Sequence, residues 1–142
     1  MYTIEEGQLT LPDDWKDESV NVLTSSKDGK PAFSLVITRD DIAEGMSFED
    51  YAKVEVINIS ANLPEFKMLE EQANYKIDNQ PAHRIEYSWQ SSEGMLHQIV
   101  CFTAQEQRAL VFTASVPDAL TDPQKKQAEE MVQSFRFSAE SN

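Results

Sequence analysis

The chain has 142 residues, 40% of them apolar, which is enough to bury one core of ordinary size. Its 12 Lys and Arg against 25 Asp and Glu give a formal net charge of −13. Such a surface repels the phosphates of nucleic acids and anionic lipid headgroups. We therefore expect a single domain, residues 1–142, that binds neither nucleic acid nor a membrane surface.

The amino end of the chain predicts a cytoplasmic location. It is acidic, and it has neither the basic start nor the apolar run of a signal peptide. No window approaches the roughly 20 apolar residues of a membrane span, so no direct membrane anchoring is expected. Cys101 is the single cysteine and cannot form an internal disulfide, which fits a reducing compartment.

Alternating apolar residues predict three strands in the first part of the chain, at 8–11, 19–24 and 33–38. Pro12 ends the first strand, and Trp15 in the polar turn after it is predicted to cover the core. A loop over 25–31, with an Asp-Gly step and a proline, joins the other two. These two strands carry apolar side chains on both faces, so we expect one face to be covered by the chain's own helices and the other to bind a partner.

A helix is predicted to follow, because Ser47 is a natural N-cap and acidic residues come directly after it. Its apolar residues fall near one stripe as far as Leu63, and Pro64 ends it. Asp122 is predicted to cap a second helix that has Pro123 at its first position and an apolar stripe to Phe135.

Four strands are predicted between these helices, at 66–77, 83–91, 95–104 and 109–115. Their connections are too short for crossover helices, so the strands should be antiparallel. The predicted fold class is α+β, with an antiparallel β-sheet packed against two α-helices.

The strand around 83–91 has the pattern of a half-buried strand. Ile85, Tyr87 and Trp89 share one face and are predicted core residues, whereas Arg84 and Glu86 share the polar face. In the next strand both faces are apolar, and Gln98 is an isolated polar side chain among them. We expect Gln98 to lie either at an edge or inside an apolar groove.

The residues that could carry out chemistry do not form an active site in the sequence. His97 and Cys101 lie four residues apart on one predicted strand, which separates their backbones by about 13 Å. His83 could approach Cys101 from a neighbouring strand, but a buried structural thiol is far commoner than a catalytic one without an activating motif. No ligand spacing for a metal and no phosphate-binding glycine motif is present. We expect no enzyme activity, no metal and no cofactor.

Seven short segments follow one another along the chain in a distinctive order and spacing: MYTIEEG (1–7), LTLP (9–12), SVNVL (19–23), EGMSFEDY (44–51), LHQ (96–98), VFTA (111–114) and SFRF (134–137). Through these segments the sequence resembles, nearly end to end, the Eag chaperones of bacterial type VI secretion, within the wider DcrB-like group.

This resemblance implies a cytoplasmic homodimer whose paired sheets, of DcrB/PsbP-like fold, form a concave apolar groove. The groove would shield the N-terminal transmembrane helices of a PAAR- or Rhs-type secreted effector until the effector is loaded on the VgrG spike. A membrane helix exposes roughly 20 apolar residues to water before insertion, so it needs such cover. Helix backbones are already hydrogen-bonded, so apolar walls with a few polar contacts suffice.

The resemblance also implies which residues line the groove. Val20, Val22 and Ile37 are its apolar contacts, and Leu35 shares the parity of Ile37. If Val22 opposes Leu35, these four residues lie on one face; a one-residue slip would put Val36 there instead. The polar contacts correspond to Gln98 and Asn58, although Asn58 is shorter than the amide expected at its position.

Three other classes of function remain open. A periplasmic DcrB-like or PsbP-like protein with an unrelated binding role would need a signal or lipoprotein peptide. An immunity protein that neutralises a basic toxin would explain the acidity. A small hydrolase has the least support. Copurification separates an immunity protein from a chaperone, because the former holds the carboxyl-terminal toxin domain of its partner and the latter the amino-terminal region.

Overall fold

The computed structural model describes residues 1–25 and 33–138; of the loop predicted over 25–31, residues 26–31 lie outside the described residues. Within the described ranges the chain forms a six-stranded antiparallel sheet, a separate two-stranded hairpin and two helices. In chain order the elements are β1 (Tyr2–Ile4), β2 (Gly7–Leu9), β3 (Asn21–Ser25), β4 (Phe33–Asp41), α1 (Phe48–Asn62), β5 (Lys67–Ile77), β6 (Gln80–Ser91), β7 (Gly94–Gln105), β8 (Arg108–Pro117) and α2 (Asp122–Gln133).

The strand order of the large sheet is β3-β4-β8-β7-β6-β5, and every neighbouring pair is antiparallel. The predicted α+β class with an antiparallel sheet is therefore confirmed. The strand predicted at 8–11 was wrong in extent, because the chain instead forms the short hairpin β1–β2 away from the large sheet. Trp15 is 66% exposed and does not cover the core, so that prediction was also wrong.

Both helices begin with the capping chemistry that their sequences suggest. Ser47 caps α1, and its hydroxyl accepts a hydrogen bond from the backbone N–H of Asp50 at 3.1 Å. The cap of α2 is Thr121 rather than Asp122, because Thr121 and Gln124 form a reciprocal capping box. Asp122 is then the first helical residue, where its charge still favours the helix dipole.

One face of the sheet, which we call the α2 face, is covered by the second helix. Ala128 and Val132 of α2 pack on residues from five strands, among them Leu35, Cys101 and Phe112. On the opposite face, the α1 face, helix α1 lies over β6 and β7 and covers the predicted core residues Ile85 and Tyr87. These two apolar layers hold the sheet between the helices.

The α2 face also contains a buried charged network that the alternation did not predict. Glu86 is 4% exposed and accepts hydrogen bonds from Lys125 Nζ at 3.0 Å and His97 Nε2 at 2.7 Å. Arg84, 7% exposed, faces Glu70 and Glu129 as well as Glu86. The prediction of a polar, solvent-facing side here was wrong, because α2 covers this face and its charges are paired instead of hydrated.

Candidate functional site

Within residues 1–25 and 33–138, no helix covers the half of the α1 face that three strands form, and we call this half the open face. Helix α1 lies over β6 and β7, so most side chains that β3, β4 and β8 direct to the same side are exposed or half-buried; Ala109, which is buried, is an exception. The exposed and half-buried side chains are Val22, Thr24, Ser34, Val36, Thr38, Asp40, Val111, Thr113 and Ser115. The open face is a mixture of valine, threonine and serine, and it offers both apolar contact and hydroxyl groups to a ligand.

The register of β3 on β4 corrects the predicted groove face. Val22 pairs with Val36, whereas Leu23 pairs with Leu35 and Asn21 with Ile37. The register that set Val22 opposite Leu35 was wrong, and the alternative slip is the one observed. The physical reason is that β4 uses its larger alternating side chains, including Leu35, to complete the core under α2.

The predicted site residues therefore divide between the two faces. Val22 lies on the open face and is 62% exposed; Val20, just before β3, has the same parity and is 54% exposed. Leu35 is buried in the α2 core, and Ile37 packs against that core. A partner on the open face would contact Val20, Val22 and Val36 without reaching Leu35 or Ile37.

A cleft of about 390 Å³, the α1 cleft, runs between α1 and the open face. Its lining residues come from α1 and from strands β4, β6, β7 and β8: Thr38, Arg39, Asp40, Tyr51, Glu55, Ile59, Leu63, Tyr87, Gln98, Val100, Phe102, Val111 and Thr113. Apolar side chains form much of this lining, so the α1 cleft extends the open face inward as a partly apolar trough.

Gln98 lies in the α1 cleft within a hydrogen-bonded cluster. Its side-chain oxygen accepts from Tyr87 Oη at 2.8 Å and from Trp89 Nε1 at 2.9 Å. Its side-chain nitrogen donates to Ser115 Oγ at 3.2 Å. Burial raises the pKa of the Tyr87 phenol, so this hydroxyl remains a donor. Of the two sequence alternatives for Gln98, the structure supports a polar group inside a partly apolar groove.

Asn58 is exposed on α1 and is not among the residues that line the α1 cleft. Glu55 and Ile59, on either side of it in sequence, line the cleft instead. Sequence reasoning missed Glu55, as well as Ser115 and Thr113 on β8. The period of the helix was available for Glu55, but Ser115 reaches Gln98, and Thr113 reaches the cleft, only through strand pairing that connects distant parts of the chain.

Two carboxylates give the α1 cleft a negative region. The hydroxyl of Tyr51 donates to Asp40 Oδ2 at 3.1 Å, and Glu55 lies in the same lining. Partial burial raises the pKa of Glu55, and the nearby charge of Asp40 raises it further. An ionised Glu55 is therefore less stable in the folded protein than in the unfolded chain.

Glu55→Gln is expected to stabilise the protein at pH 7. The pKa of Glu55 in the folded protein lies above the unfolded value of 4.5. The free energy of unfolding therefore falls as the pH rises from 4.5 through the folded pKa, and the full loss is present at any higher pH. Thermal unfolding of Glu55→Gln at pH 7 should show a Tm about 1–3 °C higher than that of the wild type. The increase is small because solvent screens the charge of the half-buried Glu55. The difference should shrink as the pH falls towards 4.5. Exposed Glu44→Gln serves as the matched control and should leave Tm unchanged; an equal rise in both variants would contradict a local cause.

The side chains weighed as catalytic groups do not come together in an active site: His97 has structural partners, and Cys101 and His83 lie on opposite faces of the sheet. His97 Nδ1 accepts from the backbone N–H of Leu120 at 2.9 Å while Nε2 faces Glu86, so the ring joins β7 to the start of α2. Cys101 is buried on the α2 face, and burial raises the pKa of its thiol to about 12. His83 pairs with Phe102 and so points to the opposite face from Cys101.

Metal-binding and membrane-spanning features were sought in the described part of the chain. No group of three or more His, Cys, Asp and Glu side chains in residues 1–25 and 33–138 is arranged to hold a metal ion. In the same residues, neither helix has the length and apolar character that a bilayer crossing requires.

The fold is an antiparallel sheet with one helix on each face. Solved structures share this fold. A protein of unknown function, PA94, from Pseudomonas aeruginosa superposes with a TM-score of 0.82 at 24% identity, covering 98% of this chain and 96% of that one. The cyanobacterial PsbP protein (CyanoP) of Synechocystis sp. PCC 6803 superposes with a TM-score of 0.52 at 14% identity, covering 89% of this chain and 96% of the other.

Residues 6–134 match the DcrB family, so the chain belongs to that family. It is also 32% identical over 124 residues to the Effector EagT6 of Pseudomonas aeruginosa, a match that covers 84% of this chain and 83% of EagT6. The resemblance to the Eag group within the DcrB-like proteins is thereby confirmed.

Proposed function

We propose that this protein is a cytoplasmic chaperone and adaptor that binds the N-terminal transmembrane helices of a type VI secretion effector. The effector would be of the PAAR or Rhs type, and the chaperone would keep its helices out of water until the effector is loaded on the VgrG spike. The similarity to EagT6 supports the link to an effector, and it supports a binding role in preference to an enzymatic one.

The observation that carries this proposal is the open face with its adjoining α1 cleft. The chain covers the α2 face with its own helix but leaves valines on the other side exposed, including Val20 and Val22. Exposed apolar side chains grouped beside a trough are typical of a binding surface. Threonine, serine and Gln98 in the same surface can meet the polar positions of a membrane helix.

Size favours a homodimer as the active form. A 20-residue helix is about 30 Å long and about 10–12 Å wide, so it occupies several times the roughly 390 Å³ of the α1 cleft. One copy therefore covers only part of a helix. Because β3 lies at the edge of the sheet and carries Val22, a second copy related by a two-fold axis would extend the same wall.

Light scattering at micromolar concentration is expected to give about twice the chain mass of 16.1 kDa. The measurement should be repeated with bound effector, because a partner helix adds apolar contacts between the two copies. A monomer in both conditions would contradict the two-copy groove.

Copurification from the native cell tests the function itself. A tagged copy of the chain is expected to retain a large secreted protein through its amino-terminal apolar region. Deletion of that region should abolish retention, whereas deletion of the carboxyl-terminal domain should leave it intact. Retention through the carboxyl-terminal toxin domain would instead show an immunity protein, and the chaperone function would be wrong.

A further inference from the structure

The hydrogen bonds around Gln98 fix which end of its amide faces a ligand. An indole N–H can donate but cannot accept, so the Gln98 atom at 2.9 Å from Trp89 Nε1 must be the oxygen. Tyr87 Oη lies 2.8 Å from the same atom. The oxygen and nitrogen of an amide are assigned from such networks, and here a donor that cannot reverse its role decides the assignment.

The remaining hydrogen-bonding capacity of the Gln98 amide is then of one kind. The Gln98 nitrogen has two hydrogens, and within the described residues one of them is used by Ser115 Oγ. Because Ser115 accepts this bond, its own hydroxyl hydrogen is free to turn elsewhere. The oxygen of Gln98 already has two donors, so the Gln98 amide has an unused donor and a saturated acceptor.

We propose that Tyr87 and Trp89 are positioning residues that commit Gln98 to act as a hydrogen-bond donor towards the bound helix. The Gln98 amide then selects helices that present an acceptor: a Ser or Thr side-chain oxygen, or a backbone carbonyl freed by proline. A helix that presents only donors gains nothing from this amide. This inference deepens the proposed function and rests on it, because it concerns the ligand of the same surface.

Matched synthetic helices test the inference on the intact chain. Each is a 20-residue leucine-rich peptide with lysines at both ends, carrying either O-methylserine or norvaline at one central position. The two side chains differ by an ether oxygen in place of a methylene, so one accepts a hydrogen bond and neither donates. Four pairs of peptides are made, and each pair carries its single substitution at a different one of four consecutive central positions. Four consecutive residues span one turn of a helix, so in one of the pairs the substituted side chain faces Gln98 whatever the rotation of the helix.

The wild-type chain is expected to bind the O-methylserine peptide about three- to tenfold more tightly than its norvaline partner at one or two of the four positions. Gln98→Glu keeps the shape and can still accept from Tyr87 and Trp89, but its carboxylate cannot donate. It should lose or reverse the preference. Gln105→Glu makes the same change at an exposed position of the same strand and should keep the wild-type preference.

The double variant Tyr87→Phe with Trp89→Phe tests the positioning role. It leaves Gln98 in place but removes both donors to its oxygen, so the amide can turn over. Binding of norvaline peptides should persist while the preference for O-methylserine falls. A merely structural role would weaken both peptides equally.

Nuclear magnetic resonance of the free chain tests the orientation without a ligand. The side-chain nitrogen hydrogens of Gln98 should show strong Overhauser contacts to the β-hydrogens of Ser115 and weaker ones to the indole hydrogen of Trp89. The reverse pattern overturns the inference.

The peptide results separate the inference from the function on which it rests. Equal binding of both peptide kinds at all four positions overturns the donor role and leaves the chaperone function standing. No binding of any peptide counts against the function, and the inference falls with it. A Gln98→Glu variant that retains the preference overturns the inference alone.

Discussion

Val22→Glu is expected to abolish binding of the effector's amino-terminal region while leaving the fold intact. Val22 is 62% exposed on the open face, so a charge at this position is hydrated in the free protein and costs little stability. In a dry interface with an apolar helix, the same charge has no counter-ion and should cost several kcal/mol. Because each 1.4 kcal/mol is a factor of ten, we expect affinity to fall by about a thousandfold, measured by copurification and by peptide titration.

Leu23→Glu is the matched control for this prediction. Leu23 is the next residue of β3, is 55% exposed and points to the opposite face of the sheet. The Leu23→Glu variant should therefore bind the effector's amino-terminal region as tightly as the wild type does. Loss of binding in the Leu23 variant, with Val22→Glu unaffected, would move the site to the α2 face.

The same contrast can be made on β4, where the structure reverses an expectation from the sequence. Ile37 was predicted to line the groove, but it packs against the α2 core, and its neighbour Val36 lies on the open face. Ile37→Asp should consequently lower stability, whereas Val36→Asp should impair binding in a folded protein. Circular dichroism together with peptide titration distinguishes the two effects.

Glu86→Gln is expected to lower the stability of the fold far more than the neutralisation of an exposed carboxylate. Glu86 is buried between β6 and α2 and is paired with Lys125 and His97. Removing one charge from a buried pair leaves its partners without compensation, which typically costs about 3 kcal/mol or more. For a chain of this length we expect Tm at pH 7 to fall by about 10 °C.

The pH dependence of the Glu86 effect follows from its pKa. Burial would raise this pKa, but hydrogen bonds from Lys125 and then His97, together with their charges, outweigh burial and lower it. A lowered folded pKa gives stability that is present above the unfolded value of 4.5 and is lost as the pH falls below it. The difference in Tm between wild type and Glu86→Gln should thus narrow below about pH 4.5.

Glu93→Gln, in an exposed turn, is the control and should have the wild-type Tm at every pH. A difference in Tm for Glu86→Gln that stays constant at all pH values would contradict the ionic explanation.

Most of the secondary structure could be predicted from the sequence, because the signals for strands and helix caps are local. Alternation along β6 and β7 placed both strands and assigned Ile85, Tyr87 and Trp89 to one layer, as the structure confirms. The side chain of Ser47 needs only the next three residues to cap α1. Among the predicted site residues, Val20, Val22 and Gln98 fall on the open face or in the α1 cleft. This could be predicted for the same reason, because successive side chains of a strand alternate between the two faces of the sheet.

Which face is closed, and what each face contains, could be seen only in the folded chain. Alternation cannot distinguish a solvent side from a side covered by a distant helix, so the burial of Arg84 and Glu86 under α2 could not be predicted from it. The register between β3 and β4 likewise depends on the core that Leu35 shares with Ala114, a residue from a distant part of the chain. Gln98 meets Tyr87 and Ser115 only because two strand pairs bring them opposite. A period of two specifies which residues lie together on a face, but the choice between the faces is made by the free energy of long-range packing.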